Sequence, residues 1–458
     1  MLLHNTYTKK LEEFKPIEKG KVGIYSCGPT VYDFVHIGNL RTFLLADFLR
    51  RSFIYSGYEV KHIKNITDVG HLTQDDIEAG EDKMIKAAKR EKKNPYDIAR
   101  FYEQAFYKDE RKLNILPAYK FPRATEYIKE MIAMVEKLIK NGYAYETNGS
   151  VFYDIAKFKD YGKLSGNTLE NLKACARLEK HPDKKNFHDF ALWLKASPEH
   201  LMQWDSPWSK GYPGWHIECS AMSVANLGNT MDIHTGGEDN IFPHHEDEIA
   251  QSEGATGKKF VNYWVHGRHL LVDKEKMSKS KGNFYVLADI EKRGFNPLSF
   301  RYLCLTAHYQ SQLNFTWQSL RASENALNKL SDFIVAPPLS KGAGRISSQR
   351  KLGGFLEKFQ KALENNLDTP KALAIIWEMI KSKELSYDNK KRNLLKFDQV
   401  LGLDLDKIKK EDVKISEKIK DLIKQREEAR KNKDWQKADE LRDEIKKGGY
   451  AVQDMPVG

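Results

Sequence analysis

The stretch 21–63 decides the fold, and it reads KVGIYSCGPTVYDFVHIGNLRTFLLADFLRRSFIYSGYEVKHI. Lys21–Cys27 is short, apolar and rich in β-forming residues, which predicts a strand. From His36 to about Ser56 the apolar residues recur at helical spacing, and Gly57 ends that pattern. Tyr58–Ile63 then predicts a second strand. This order predicts the opening βαβ unit of a nucleotide-binding parallel sheet.

The rest of the chain alternates between helical and mixed segments. We expect a strongly helical stretch over about 77–141, an aromatic insertion rich in Gly and Pro over 145–215, and a second αβ region over 216–265. From about 317 the pattern is helical, with a linker at 335–344. The tail predicts helices over 415–431 and 435–447, with Asp434 as N-cap of the second, and a short strand at Tyr450–Val452.

The composition is that of a globular chain of several domains. Of its 458 residues 40% are hydrophobic and 30% charged, which excludes a disordered chain. At roughly 100–200 residues per domain, this length predicts three or four domains. The N-terminus has no basic segment followed by an apolar one, and no apolar run reaches the ~18 residues of a spanning helix. We therefore expect a cytoplasmic protein that does not bind membranes.

Charge and cysteine content point to a partner class and to a kind of site. Lys and Arg number 75 against 64 Asp and Glu, a net charge of +11. This excess predicts a polyanionic partner, nucleic acid first, although a lysine-rich solvated surface explains it equally well. Four cysteines in so long a chain exclude a disulfide scaffold and favour a metal or catalytic thiol.

The first candidate motif is HIGN, which comprises His36, Ile37, Gly38 and Asn39 at the start of the predicted helix. Backbone N–H groups at a helix N-terminus favour phosphate, and Gly38 lets a ligand approach the backbone. His36 and Asn39 can add donors. The motif alone is equally compatible with a capped helix that carries a surface histidine.

The second candidate motif is KMSKS at 276–280, followed by KGN. Its lysines and hydroxyls, among them Lys276, Ser278 and Lys279, make a cationic loop that can clamp a triphosphate while charge shifts in the transition state. A basic surface turn is the alternative interpretation of this motif on its own.

Four widely separated residues form a chemically sensible metal set. They are Cys27 at the end of the first strand, Cys219 in GWHIECS, and His244 and Glu248 in FPHHEDEIAQS. The last two lie four residues apart, so a helix would present both on one face. Thiolate, imidazole and carboxylate ligands suit zinc. No zinc-finger spacing is present, and two buried cysteines beside an ordinary helical His–Glu pair explain the residues as well.

Taken together, HIGN early and KMSKS late resemble the two signatures of class I aminoacyl-tRNA synthetases. CGPTVYD before HIGN, together with GWHIECSAM, FPHHEDEIAQS and KMSKSKGN, closely resembles the cysteinyl-tRNA synthetase family, and the similarity runs through nearly the whole chain. The resemblance implies an α/β fold: a Rossmann-type parallel-sheet catalytic domain with an inserted connective region, then a helical bundle and a small α+β C-terminal anticodon-binding module. The implied boundaries are 1–117 and 211–262 for the catalytic halves, 118–210 for the insertion, 263–318 for the KMSKS-bearing stem-contact region, 319–402 for the bundle and 403–458 for the module.

The resemblance also implies roles for residues. One Zn²⁺ per chain would be held by Cys27, Cys219, His244 and Glu248 and would bind the substrate thiolate. Because a zinc ion prefers a thiolate to a neutral hydroxyl, it would separate cysteine from serine better than an apolar pocket could. The remaining implied roles are catalysis by His36, Asn39, Lys276 and Lys279; ATP binding by Gly38, Gly237, Ser278 and Lys279 with Mg²⁺; and cysteine binding by Thr67, Trp215, His234 and Asp239.

The tail is expected to read the anticodon. The resemblance implies that Arg430, Trp435, Asp439 and Asp454 contact it. An aromatic ring can stack on an unpaired base and a carboxylate can accept from base amino groups. The alternative for Trp435 is that it merely pins the two tail helices together.

The resemblance implies an ATP-dependent, AMP-forming ligase that joins L-cysteine to cysteine tRNA and acts as a monomer. A ligase that joins cysteine to an amino sugar through the same adenylate is one alternative, and it would lack a full anticodon-binding region. A catalytically inactive RNA-binding paralogue is another, against which the intact motifs argue.

Overall fold

A computed structural model describes residues 1–70, 72–74, 79–167, 182–198, 200–278, 281–335, 345–408, 417–432 and 434–447. Its strands, in chain order, are β1 Leu2–Asn5, β2 Lys10–Glu13, β3 Lys21–Ser26, β4 Glu59–Lys64, β5 Leu72–Gln74, β6 Ala79–Asp82, β7 Ala144–Thr147, β8 Ser150–Tyr153, β9 Phe190–Lys195, β10 Gly211–Pro213, β11 Met231–Gly237, β12 Val261–Gly267, β13 Leu270–Val272, β14 Glu275–Lys276 and β15 Leu313–Phe315.

The α-helices, numbered in the same way, are α1 Ile37–Tyr55, α2 Lys83–Glu91, α3 Pro95–Lys112, α4 Ile128–Lys140, α5 Trp215–Leu227, α6 Glu246–Thr256, α7 Leu287–Lys292, α8 Pro297–Leu305, α9 Trp317–Val335, α10 Arg345–Glu364, α11 Thr369–Lys381, α12 Tyr387–Leu401, α13 Glu417–Lys431 and α14 Trp435–Lys447. Within the described ranges, no helix is long and apolar enough to cross a bilayer.

The parallel sheet has four strands in the order β12-β11-β3-β4. Every residue of β11 is buried, as a strand covered on both faces requires. Helix α1 connects β3 to β4 and begins at the N-cap His36. It ends at Ser56, after which Gly57 adopts a φ of 88° that favours glycine. The predicted βαβ unit is confirmed to within one residue at most of its boundaries.

The insertion forms a four-stranded antiparallel sheet in the order β10-β9-β8-β7. Apolar side chains of β8 and β9 share a buried cluster with α4 and α5, so the insertion packs beside the parallel sheet as predicted. Its core includes Tyr153 and Trp193, whose side chains are fully buried. Residues 168–181, including Cys175, lie outside the described part of the chain.

The predicted helical stretch 77–141 is wrong in two places. Ala79–Asp82 is a strand that pairs antiparallel with β5, because Gly80 weakens a helix there. Residues 113–127 hold only a short 3-10 turn, since Pro117 and Pro122 interrupt any regular helix. Helix α4 presents an apolar face, in which Met131, Val135 and Leu138 are fully buried.

The chain divides into two compact units. The described residues up to 333, together with 345–405, belong to the first, which holds the parallel sheet, the insertion and the later helices α10–α12. Helices α13 and α14 belong to the second. They pack on each other through a small apolar core of Leu422, Ala429, Ala438, Leu441 and Ile445.

Candidate active site and metal centre

The parallel sheet brings the sequence motifs to one edge. Strands β3, β11 and β12 run in the same direction, so Cys27, Gly237 and Gly267 follow or end neighbouring strands at their carboxyl ends. A cavity of about 430 Å³ opens there. The predicted site residues that line it are Cys27, His36, Gly38, Asn39, Trp215, Gly237, Asp239 and Lys276.

His36 caps the helix that it precedes. Its Nδ1 accepts from the backbone N–H groups of Gly38 at 3.1 Å and of Asn39 at 3.3 Å. These amides were expected to be available to phosphate, and the structure instead satisfies them with the imidazole. Because Nδ1 is the acceptor, the neutral ring carries its proton at Nε2 and has a donor there.

Gly38 is where the two signature motifs meet. A Cβ at this position would lie 2.6 Å from the Cε atom of Met277 and 2.9 Å from the His36 ring. A side chain at this position would therefore require the Met277 side chain to move away and would crowd the His36 ring. Glycine is needed here for the fit between HIGN and KMSKS as well as for ligand access.

The KMSKS loop is described up to Ser278. Asn283 closes it: its Oδ1 accepts from the Ser278 backbone N–H at 2.8 Å and its Nδ2 donates to the Lys276 carbonyl at 3.3 Å. Lys276 is exposed and lines the cavity, whereas Ser278 is not among the lining residues. The predicted catalytic Lys279 lies outside the described residues.

Cys27, Cys219, His244 and Glu248 converge on one point. Each offers one ligand atom, and the four atoms lie within 4.8 Å of one another. The two Sγ atoms are 3.7 Å apart, Cys27 Sγ is 3.6 Å from Glu248 Oε1, and His244 Nε2 is 3.1 Å from that same oxygen. Residues separated by up to 221 positions thus form a buried group of the kind that can hold a metal ion.

Helix geometry explains how two of the four ligands, His244 and Glu248, come together. Glu248 lies in the first turn of α6, and His244 lies one turn before it on the same face. Cys219 lies in the first half of α5, which contacts α6 closely, and Cys27 directly follows β3.

Hydrogen bonding around His244 fixes the orientation of its ring. Its Nδ1 is 2.8 Å from His216 Nδ1, and His216 Nε2 is 3.3 Å from Asp247 Oδ2. Tyr161 donates to the other Asp247 oxygen at 2.5 Å. With Asp247 accepting at His216 Nε2–H, His216 Nδ1 becomes the acceptor for His244 Nδ1–H. His244 Nε2 therefore faces the cluster, where it donates to Glu248 Oε1 at 3.1 Å, and a bound metal ion would take its lone pair in place of that proton.

The two carboxylate oxygens of Glu248 have different partners. Oε1 faces the cluster, while Oε2 lies 3.0 Å from Nε2 of the fully buried His234. Burial alone would raise the pKa of Glu248, but His234 and His244 outweigh it and lower the pKa to about 2. The carboxylate is thus ionised and oriented at any physiological pH.

The pKa values of the Cys27 and Cys219 thiols are shifted in opposite directions. Burial and the neighbouring Cys219 and Glu248 raise the pKa of Cys27 well above its usual range. For Cys219 burial acts in the same direction, but hydrogen bonding to Cys27 and His244 lowers its pKa to about 7. Cys219 therefore has the greater thiolate character in the protein's own field.

His245 is closer to the cluster than the sequence suggested. Its Nε2 is 3.4 Å from Cys27 Sγ, and a second overlapping group of possible ligands is Cys27, His234, His245 and Glu248. The His245 Nδ1 atom is 2.7 Å from His266 Nε2. Neither His216 nor His245 was predicted to belong to the site; their positions next to the ligands in GWHIEC and PHHED were the available signal.

The predicted cysteine-binding residues occupy different depths. Trp215 and Asp239 line the cavity, and the Trp215 ring centroid is 4.6 Å from that of His244. His234 and Thr67 lie behind it, and both are buried. The Thr67 hydroxyl donates to Glu218 Oε2 at 2.9 Å.

Several lining residues were not predicted. They are polar or aromatic and include Thr42, Asn240, Arg268, His269 and Phe284. Thr42 lies one turn after Gly38 on α1, so helical periodicity was the available signal for it. Arg268 and His269 follow β12, whose place in the sheet was not predictable from its sequence.

In the second unit, Trp435 begins α14 and is 54% exposed. The described apolar core between α13 and α14 does not include Trp435, which favours the base-stacking interpretation over the one in which Trp435 pins the helices. Asp439 pairs with Arg442 at 2.9 Å, Arg430 is half-buried, and Asp454 lies outside the described residues. Asp434 caps α14 as predicted, accepting from the Lys437 N–H at 3.1 Å.

Two family models match the chain. Residues 13–325 match the class I (C) tRNA synthetase catalytic domain, and residues 412–457 match the cysteinyl-tRNA ligase anticodon binding domain. The chain is 44% identical over 480 residues to the cysteine–tRNA ligase of Treponema denticola, covering 99% of this chain and 97% of that protein. It is 44% identical over 462 residues to cysteine–tRNA ligase 1 of Burkholderia lata, covering 100% and 96%.

Among solved structures, the fold is similar to that of Mycobacterium tuberculosis methionyl-tRNA synthetase in complex with methionyl-adenylate. The TM-score is 0.56 at 14% identity, and the match covers 84% of this chain and 88% of the other. That likeness concerns the fold alone. The full-length relatives and both family models establish that the chain belongs to the cysteine–tRNA ligase family of class I aminoacyl-tRNA synthetases.

Proposed function

We propose that this chain activates L-cysteine with ATP and transfers it to the 3′ end of cysteine tRNA. One observation carries the proposal: Cys27 lines the cavity that contains both signature motifs and also belongs to the four-residue ligand group. A ligand group that opens into the reaction cavity is suited to holding a substrate, whereas a closed structural site would not be.

We propose zinc for that group. Two thiols, one imidazole and one carboxylate match the ligand types zinc takes, and each of the imidazole and carboxylate ligands has a hydrogen-bonded outer partner, His216 and His234 respectively. When bound, zinc supplies a borderline-soft Lewis acid that takes a thiolate in preference to a hydroxyl. Trp215, beside His244, would bound the space for the amino acid's side chain.

In the activation step a cysteine carboxylate oxygen attacks the α-phosphate of ATP, and pyrophosphate leaves. The donors for the developing phosphate charge are His36, through Nε2–H, and Asn39, through its side-chain amide. Mg²⁺ accompanies ATP. Lys279 would meet the same charge from the KMSKS loop, and Lys276, Ser278, Gly38 and Gly237 would shape the nucleotide site. These contributions are positioning and electrostatic stabilisation.

In the transfer step a hydroxyl of the terminal tRNA ribose attacks the adenylate carbonyl, and AMP leaves. No side chain of this chain forms a covalent bond in either step. Asp239, exposed at the cavity, together with His234 and Thr67 behind it, would position the cysteine moiety.

The tail is proposed to read the anticodon, with Trp435 stacking on a base and Arg430, Asp439 and Asp454 contacting the same region. Its support is the exposure of Trp435 and the match of residues 412–457 to an anticodon binding domain. The amino-sugar ligase alternative is not favoured, because it does not account for such a tail. We keep the domain boundaries given above, the monomeric state and the cytoplasmic location as parts of this proposal.

The test is amino-acid-dependent ATP–pyrophosphate exchange, followed by charging of tRNA. Exchange should depend on cysteine and be negligible with serine, and only cysteine tRNA should be charged. Exchange without tRNA charging, in the presence of an amino-sugar acceptor that is consumed, would overturn the assignment.

A further inference from the structure

A second concave surface lies next to the reaction cavity. It is a groove of about 550 Å³, lined on one side by an exposed face of α3 and on the other by Val286 and Ala288 at the start of α7. Phe34 lines both this groove and the reaction cavity. Val286 also forms a backbone bridge with His36, so the groove leads directly to the HIGN motif.

Two aromatic rings are presented to solvent in the groove. Phe34 is 43% exposed and Phe101 is 48% exposed, and their centroids are 6.1 Å apart. Both rings contact buried Tyr102, at 5.0 and 5.1 Å. The Tyr102 hydroxyl in turn donates to Glu91 at 2.5 Å, which holds the aromatic platform in place. Exposed apolar rings cost free energy in water, so their fixed presentation indicates a partner.

Cations flank these rings. Arg100 and Lys108 are exposed on the same side of α3, about 12 Å apart along the helix axis. In the described part of the chain neither forms an ion pair, whereas Lys112 is paired with Glu291 at 2.7 Å. Two carboxylates, Asp97 and Asp109, also line the groove. The groove thus carries Arg100 and Lys108 beside the aromatic rings, and the described part of the chain shows no ion pair for either cation.

We propose that this groove binds the unpaired nucleotides at the 3′ end of the tRNA as they enter the reaction cavity. Aromatic rings that stack bases, beside cations that bind phosphates, are the combination that recognises single-stranded nucleic acid. A base-paired stem would not stack on these aromatic rings, because its bases already stack on one another. The inference rests on the proposed charging of tRNA and adds the path by which the acceptor end arrives.

The test compares groove variants with controls on the same helix. Phe101→Ala removes a stacking ring, and Arg100→Glu with Lys108→Glu reverses the cations. The controls are Tyr96→Ala, a 42% exposed ring of α3 that does not line the groove, and Arg111→Glu, an exposed cation that does not line it either. For each protein, binding is measured to intact cysteine tRNA and to the same tRNA lacking its unpaired 3′ nucleotides.

We expect each groove variant to bind intact tRNA roughly tenfold more weakly while cysteine-dependent ATP–pyrophosphate exchange stays at the wild-type level. Binding of the trimmed tRNA should be the same for wild type, variants and controls. The double charge reversal should also flatten the salt dependence for intact tRNA. Equal weakening of binding for intact and trimmed tRNA would overturn the proposal, because the groove would then contact a paired region. Unchanged binding of intact tRNA by the groove variants would also overturn it. A wild-type protein that fails to charge tRNA at all would refute the proposed function instead.

Discussion

Nδ1 of His216 lies 2.8 Å from Nδ1 of His244, and the pair transmits the charge of Asp247 to the ligand cluster. With Asp247 as the acceptor, this chain of contacts places a proton on His244 Nδ1 and directs Nε2 at the cluster. A metal ion would displace the Nε2 proton that Glu248 now accepts, so the ligand is oriented by a residue outside the ligand group.

Asp247→Asn is expected to weaken zinc binding about ten- to a hundredfold. The asparagine offers one acceptor where two donors, His216 and Tyr161, now bind. If its amide NH₂ faces His216, both imidazoles must exchange tautomers, and a neutral His244 ring must then keep its proton at Nε2, where it blocks metal binding. Competition with a chromogenic chelator measures the affinity. Tyr161→Phe keeps the carboxylate and should remain within a few-fold of wild type; equal affinity in Asp247→Asn would refute the relay.

Gly38→Ala should slow adenylate formation by about a hundredfold or more. The added Cβ would lie 2.6 Å from the end of the Met277 side chain and 2.9 Å from the His36 ring, so the ring that directs the Nε2–H donor must shift. Single-turnover formation of cysteinyl-adenylate is the measurement. Gly353→Ala is the matched control, because nothing lies within 4 Å of a Cβ there. An adenylate rate in Gly38→Ala equal to that of the control would show that the contact does not matter.

Asp68→Asn should raise stability relative to wild type at pH 7 but not at pH 4. Burial raises the pKa of Asp68 to about 6, so the folded protein holds a proton that the unfolded chain has already lost between roughly pH 4 and 6. Wild-type stability therefore falls over that window by at most about 3 kcal/mol from this group. The amide can keep both contacts with Thr125, at 2.9 and 2.6 Å.

Thermal midpoints at the two pH values measure this difference. Asp205→Asn, at an exposed carboxylate, serves as control. The difference between its thermal midpoint and that of wild type should be the same at pH 4 and pH 7. If the Asp68→Asn midpoint differs from that of wild type by the same amount at both pH values, the raised pKa does not act on stability.

Trp435→Ala should reduce charging of cysteine tRNA and blunt the preference for a GCA anticodon. Since the ring is 54% exposed and absent from the core of its unit, folding should be unaffected. Removal of a base–aromatic stack costs about 1–3 kcal/mol. Charging efficiency with wild-type and anticodon-mutated tRNA is the measurement, with the 72% exposed Tyr119→Ala as control. An undiminished anticodon preference in Trp435→Ala would exclude stacking.

Local signals predicted much of this structure. The βαβ unit followed from apolar spacing between Lys21 and Ile63, and the tail helices from periodicity with the cap at Asp434. The predictions failed where tertiary pairing overrides local preference, as in the strand Ala79–Asp82, whose partner is β5. Strand pairing of this kind depends on neighbours that the local sequence does not reveal.

The candidate site was predictable as a set of motifs but not as a geometry. Family resemblance supplied Cys27, Cys219, His244 and Glu248, and folding brings their ligand atoms within 4.8 Å. The supporting His216 was not predictable, because its role depends on a contact with His244 across 28 positions.

The proposed function depends most directly on zinc at the four-residue group. The decisive measurement is the zinc content of purified protein, determined beside cysteine-dependent exchange, for wild type and for a Cys27→Ala, Cys219→Ala double variant. We predict one zinc per wild-type chain, and in the double variant loss of both the metal and the cysteine-dependent exchange. Zinc retained undiminished by the double variant would contradict the assignment.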